Sequence, residues 1–211
     1  MSKVDLSVGG KSVAVLAGHL SQIIDLARDN PEIPGSMLDE AKHACADLAF
    51  ATDFPSRPLL PQAQQLSAIA SNLADAPLGA ALTDTLSILP WTQNPNYRGR
   101  PEFADYLSVS TYCMLTGSGG LVANDQVWSG LFIMGANTDY PAHAHPALEA
   151  YFILSGTAIW WREGENPIAR PEGSTVFHDR MRSHAMRTLN EPLLCYFLQS
   201  GELGPHAVPS V

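Results

Sequence analysis

Four histidines, His143, His145, His178 and His184, fall within 42 residues of one another. The text around the first pair is Tyr140-Pro-Ala-His143-Ala-His145-Pro-Ala-Leu-Glu149-Ala-Tyr151. Side chains two apart on an extended segment point to the same face. His143 and His145 can therefore converge on one ion, and Glu149 and Tyr151 form a second such pair at the start of the next strand. Two imidazoles and one carboxylate suit a borderline divalent cation such as Zn, Fe, Ni or Mn. A third imidazole must come from elsewhere, and His184 is positioned on a later strand to supply it. His178 closes the strand before that one and reads as a residue beside the ligands, or at the surface, rather than as a ligand. His19 and His43 in the first half and His206 in the tail read as structural.

The segment that must position these groups reads as mainly β. From about Asn94 the chain carries short β-like runs near Tyr106–Leu115, Val127–Met134, Glu149–Leu154, Thr157–Arg162, Ser174–Phe177, His184–Leu189 and Leu193–Gln199. Glycine and proline punctuate them, as at Gly117 to Gly120, Ser155-Gly156 and Pro171-Glu172-Gly173. Many short strands with tight turns predict a small antiparallel β-barrel or jelly roll.

The first half has a different period. Val13, Leu16, Leu20, Ile23 and Ile24 recur at spacings of three and four, as on one buried helix face. Ser36-Met37-Leu38-Asp39 resembles a capping box opening a second helix, which buries Leu38, Ala41, Cys45 and Leu48. Pro61 fits the first turn of a third helix with Leu66, Ile69 and Leu73, and a weaker segment runs from Leu78 to Leu89. The expected organisation is a helical region over residues 1–95, packed on a barrel over residues 96–211 that holds the metal site.

The whole chain has 211 residues, with 12 Lys and Arg against 21 Asp and Glu, a formal charge of −9. Hydrophobic residues make up 45% and charged residues 16%, which excludes a disordered chain. The acidity argues against nucleic acid or an anionic membrane as partner. In residues 1–90, five basic residues (Lys3, Lys11, Arg28, Lys42, Arg57) face ten acidic ones, a poor composition for a helix-turn-helix reader. Cys45, Cys113 and Cys195 are odd in number and form no CxxC pair, so a reducing compartment is expected. No basic stretch followed by an apolar run opens the chain, and no run approaches 18 apolar residues. These features predict a soluble, cytoplasmic protein.

His143-x-His145-x3-Glu149-x6-Gly156 resembles the first cupin motif. Pro171-x-Gly173-x10-His184 is similar to the longer form of the second. Two departures stand out: the leading glycine of the first motif is Asn137 here, and no asparagine follows His184. The helical first half, the string from Tyr140 to Tyr151, the Ser155-Gly156-Thr157 turn leading to Trp160, and His184-Ala-Met-Arg-Thr together resemble cupin-type dimethylsulfoniopropionate lyases. The resemblance implies one divalent metal ion on His143, His145, Glu149 and His184, and dimethylsulfoniopropionate as the small-molecule substrate. It implies cleavage to dimethyl sulfide and acrylate, with Tyr151 as base and Tyr140 as its partner.

Such a β-elimination needs a cation to stabilise charge on the substrate carboxylate and to favour the phenolate form of Tyr151. The sulfonium leaving group would be met by aromatic faces, for which Tyr140, Trp128, Trp160 and Trp161 are candidates; His178 is placed beside the substrate. Trp160 and Trp161 are adjacent, so only one can face inward. The same ligand set would serve an Fe(II) oxygenase, a metal-dependent isomerase or a ligand-binding cupin without activity. The helical half would either cap the barrel mouth or form a homodimer interface.

Overall fold

The computed structural model describes residues 6–54, 58–204 and 208–209. The reading of His206 as structural, and the charges of Lys3 and Arg57, lie outside the described residues. Four helices come first: α1 (Leu6–Leu26), α2 (Gly35–Leu48), α3 (Gln65–Ser71) and α4 (Ala76–Thr85). None of the helices among the described residues is long and apolar enough to cross a membrane. The predicted face of α1 is buried through Val13, Leu16, Leu20 and Ile24. Helix α2 buries Leu38, Ala41, Cys45 and Leu48.

The capping box expected at Ser36 is not formed. Pro34, with φ fixed at −58°, starts the helix earlier, and its carbonyl accepts from Met37 and Leu38. Ser36 is then already helical and cannot adopt the extended backbone that a capping residue needs. Helix α4 does carry a side-chain cap: Asp75 Oδ1 accepts from the Leu78 amide at 3.0 Å.

Eleven strands follow among the described residues: β1 (Trp91–Thr92), β2 (Ser110–Thr116), β3 (Val127–Met134), β4 (Asp139–Ala144), β5 (Ala147–Ser155), β6 (Ala158–Arg162), β7 (Ile168–Arg170), β8 (Thr175–His178), β9 (His184–Thr188), β10 (Leu193–Gly201) and β11 (Val208–Pro209). They pair antiparallel into a six-stranded sheet, β1-β2-β3-β10-β5-β8, and a five-stranded sheet, β11-β4-β9-β6-β7. Two antiparallel sheets preceded by helices match the jelly roll expected from the sequence.

The expected strand from Tyr106 begins later. Residues Ala104–Val109 form a short helix, α5, which ends where Ser110 Oγ donates to the Tyr106 carbonyl at 2.6 Å. Strand β4 was not among the expected runs because Pro141 interrupts its pattern. The ladder to β9 shifts register between Tyr140 and His143, and that irregularity accommodates a residue with no amide to donate.

Two apolar clusters divide the interior. On β3, β5 and β10, Leu131, Ile133, Ala150, Phe152, Leu154, Leu194, Tyr196 and Leu198 join the helices in one. Their alternating neighbours Phe132, Met134, Tyr151, Ile153, Cys195 and Phe197 join the other, between the two sheets. Period-two alternation therefore places each strand between two dry layers, which is why these strands read as continuous apolar runs. Gly156 makes the tight return from β5 to β6 at φ +86°, where an added Cβ would lie 2.3 Å from the Pro192 carbonyl oxygen. Only glycine fits there.

Candidate metal centre

The site forms where the two sheets face each other. His143 on β4 lies directly opposite His184 on β9 in the five-stranded sheet, and His145 follows the end of β4. Glu149 and Tyr151 come from β5 in the other sheet. The four expected ligands His143, His145, Glu149 and His184 are all buried.

Three short hydrogen bonds fix the imidazoles. Nδ1 of His143, His145 and His184 lies 2.9–3.0 Å from the carbonyl oxygens of Pro141, Ala147 and Arg182. A carbonyl oxygen only accepts, so each Nδ1 carries its proton and each Nε2 is left to face the centre. That arrangement is the usual support for a metal-ligating histidine. One ligand atom from each of His143, His145 and His184 lies within 4.8 Å of the others.

Glu149 closes the set. Its Oε2 lies 3.0 Å from His145 Nε2 and 3.5 Å from His184 Nε2, while Oε1 accepts from Gln199 Nε2 at 2.8 Å. Gln199 on β10 is the cross-strand partner of Glu149, so the amide holds the carboxylate in rotation. His184 Nε2 is buried and, among the described residues, has no hydrogen-bond partner. Nitrogen and oxygen donors at this spacing, with one buried nitrogen unsatisfied, fit a divalent transition metal.

The electrostatics agree. Burial works to raise the Glu149 carboxyl, but His145 and His184 together hold it well below the usual carboxylate range. Burial likewise opposes charge on His145, and the Glu149 carboxylate overcomes it and raises the imidazole. The Glu149 carboxylate thus favours positive charge at this cluster. Burial and the neighbouring His184 hold His143 well below the ordinary histidine value, leaving it neutral.

A cavity opens onto this cluster. Its wall includes Tyr140, His143, His145, Glu149, Tyr151 and Trp128. Tyr151 sits beside Glu149, and both burial and that carboxylate push its phenol well above the ordinary tyrosine value. Tyr140 is sandwiched: Tyr106 and His143 stack on it at 4.2 and 4.1 Å, each 18° from parallel. Two rings cannot share one face at that distance, so both faces of Tyr140 are covered. Its hydroxyl lies 3.0 Å from the Tyr97 hydroxyl.

Other expected residues sit elsewhere. Trp160 is buried and Trp161 half-buried, so Trp160 is the inward one. Its ring lies 5.1 Å from Tyr151 and 5.9 Å from His178, and neither Trp160 nor His178 lines the cavity. His178 is not at the surface: it is fully buried, lies opposite Glu149 in the β5–β8 ladder and stacks on His184 at 3.8 Å. Tyr97, Tyr106 and Gln199 were not singled out in the sequence. The sheet register brings Gln199 to the site, α5 brings Tyr106, and the 3-10 turn Pro95–Tyr97 brings Tyr97.

This ligand geometry coincides with a family match. The model of the dimethylsulfoniopropionate lyase family matches residues 57–195. The chain belongs to the dimethylsulfoniopropionate lyase family. The family match takes in His143, His145, Glu149, Tyr151, His178 and His184, and ends before Gln199. A curated member, dimethylsulfoniopropionate lyase DddQ of Ruegeria pomeroyi, is 38% identical over 108 residues. That alignment spans 51% of this chain and about half, 53%, of the relative. The crystal structure of the DMSP lyase DddQ from Ruegeria pomeroyi DSS-3 is similar at a TM-score of 0.66 and 27% identity, over 93% of this chain and 96% of that one. A structure described with the DMSP lyases RdDddP and RnDddQII gives 0.65 and 26%, over 83% and 96%.

Proposed function

We propose that this chain cleaves dimethylsulfoniopropionate to dimethyl sulfide and acrylate, with one divalent transition metal on His143, His145, Glu149 and His184. The observation that carries the reading is the placement of Tyr151 on the cavity wall beside Glu149, on the strand that supplies the carboxylate. Tyr151 takes the proton α to the substrate carboxylate. The Cα electrons form the new double bond to Cβ, the Cβ–S bond breaks, and its electron pair leaves with neutral dimethyl sulfide. A bound divalent cation supplies Lewis acidity, polarising the substrate carboxylate and offsetting the charge of a phenolate.

The protein's own residues do the rest. Without a cation, burial and Glu149 keep Tyr151 protonated, so its basicity is tied to loading of the site. Tyr140, clamped between two rings and joined to Tyr97, is a rigid hydroxyl that orients the substrate. Because its faces are covered, the aromatic face offered to the sulfonium is Trp128, with Phe132 and Phe197 on the same cavity wall. Trp160 and His178 act from behind Tyr151. Three free, buried cysteines fit a cytoplasmic setting.

The experiment is an anaerobic incubation of the metal-loaded protein with dimethylsulfoniopropionate, following headspace dimethyl sulfide. Release should stop with chelator and return with Zn, Fe(II), Ni or Mn. A loaded protein that releases no sulfide with any of the four metals defeats the substrate. Release that requires oxygen defeats the elimination.

A further inference from the structure

Trp128, Gln199 and Glu149 form one row across β3, β10 and β5. Gln199 is the direct ladder partner of Trp128 on one side and of Glu149 on the other, so the three side chains leave the same face. All three line the cavity. Strand β10 is paired along both edges, which holds the backbone at Gln199 in fixed register with Glu149.

The contact within the row separates the two oxygens of the carboxylate. Gln199 Nε2 donates to Glu149 Oε1 at 2.8 Å, while Oε2 lies 3.0 and 3.5 Å from the Nε2 atoms of His145 and His184. A carboxylate only accepts, so the amide must present its NH2 group there. A carboxylate can hold a cation through one oxygen or through both. Here Oε2 faces the histidines and Oε1 is engaged by a donor. Hydrogen bonds of this kind commonly support a ligating carboxylate.

We infer that Gln199 is a positioning residue that confines Glu149 to one oxygen on the cation. The coordination position that Oε1 would otherwise take stays open toward the cavity, for the carboxylate of the substrate. The row ends in Trp128, so Gln199 stands between the group that holds the cation and the aromatic face offered to the sulfonium. One side chain thereby fixes the ligand and spaces the two ends of a zwitterion. The inference rests on reading the cluster as a metal centre that a substrate carboxylate approaches.

Full-length protein stripped with chelator, reloaded with Co(II) and titrated with acrylate tests it, read by visible absorption and by metal content after gel filtration. Wild type should take one Co(II) per chain, and acrylate should change its spectrum. No Co(II) binding would sink the metal centre itself, a failure distinct from that of Gln199. A wild-type spectrum indifferent to acrylate would mean that no position is open, and overturns the proposal. Gln199→Met keeps the length of the side chain and removes the donor. It should still take one Co(II), with a changed spectrum before acrylate is added, and its acrylate affinity should fall about tenfold or more. An unchanged spectrum would leave Gln199 acting on the ligand and not on Glu149. That result, an undiminished acrylate affinity, or a variant that takes no Co(II) each overturns the proposal. Should Gln199→Met misfold by circular dichroism, Gln199→Asn, whose amide stops one methylene short, decides on the same readings.

Discussion

The two sheets of the barrel contribute unequal things to one centre. Strands of the six-stranded sheet are dry on both faces, with the helices behind them and the barrel interior in front. Among the described residues the five-stranded sheet adds nothing to the helix-facing core: on β9, Ala185 and Arg187 are the partly and fully exposed alternates of buried His184, Met186 and Thr188. The doubly buried sheet supplies Glu149, Tyr151, His178 and Gln199. The solvent-backed sheet and the residue after β4 supply His143, His145 and His184. The groups proposed to react thus stand on the better-packed layer, and a cation held by the proposed ligands would join that layer to the more exposed one.

The largest effect should come from the back of β5. Phe152 is buried in the helix-facing core and stacks on Tyr196 with centroids 5.7 Å apart. Phe152→Ala should cost about 3–5 kcal/mol in urea unfolding. The same truncation at half-buried Ile159, on the solvent-backed sheet, should cost well under half of that. Equal losses would mean that the helices do not stiffen the six-stranded sheet.

One residue away the same strand turns from stability to chemistry. Tyr151→Phe keeps the ring in the barrel and removes the hydroxyl, so turnover should fall by about two orders of magnitude or more. Co(II) affinity and the unfolding midpoint should hardly move. Near-wild-type turnover in Tyr151→Phe, with loss in Tyr140→Phe, would exchange the roles of the two tyrosines.

Acidity separates the two sheets next. In the cation-free protein the raised His145 stabilises the fold below about pH 6.5, and that contribution is lost as pH rises through its folded value. The depressed Glu149 stabilises above about pH 4.3, lost as pH falls through its own lowered value. The pair therefore supports the empty site most between those limits. Cation binding runs the other way, because His145 must release its proton. Co(II) affinity should fall by up to about tenfold per pH unit once the pH drops below the His145 value. A flat affinity between pH 8 and 5.5 would show that His145 is already neutral in the empty protein.

The comparison also explains what could be read in the sequence. His143, His145, Glu149 and Tyr151 were legible because period-two spacing acts within one chain segment, and Gly156 because no other residue makes that turn. Helix α1 was legible because its apolar face repeats over several turns. Gln199 was not, and His178 only as a residue near the ligands or at the surface, since both meet Glu149 only once β5 is placed between β10 and β8. Strand β4 hid behind Pro141, and α5 is too short for helical spacing to outweigh the strand-like pattern beginning at Tyr106. Local periodicity shows which groups share a strand. Sheet order, which joins distant segments, decides what surrounds them.

The smallest predicted effect concerns Asn137, where the first motif departs from glycine. Its φ is +54°, in the left-handed region that asparagine tolerates better than most residues. The turn is held on both sides: the Asn137 amide donates to the Leu189 carbonyl at 2.6 Å, and Thr188 Oγ1 donates to the Gly135 carbonyl at the same distance. The departure from the motif therefore preserves the backbone requirement while changing the residue. Asn137→Gly should alter stability by no more than about 0.5 kcal/mol, whereas Asn137→Ala should cost about 1–2 kcal/mol. The turn leads into β4, on the layer outside the helix-facing core, so any strain there should reach His143 before Glu149. Asn137→Ala should accordingly weaken Co(II) binding slightly and leave the packing of Phe152 untouched. If Asn137→Ala were as stable as wild type, the turn would relax freely, and the solvent-backed sheet would be softer than its hydrogen bonds imply.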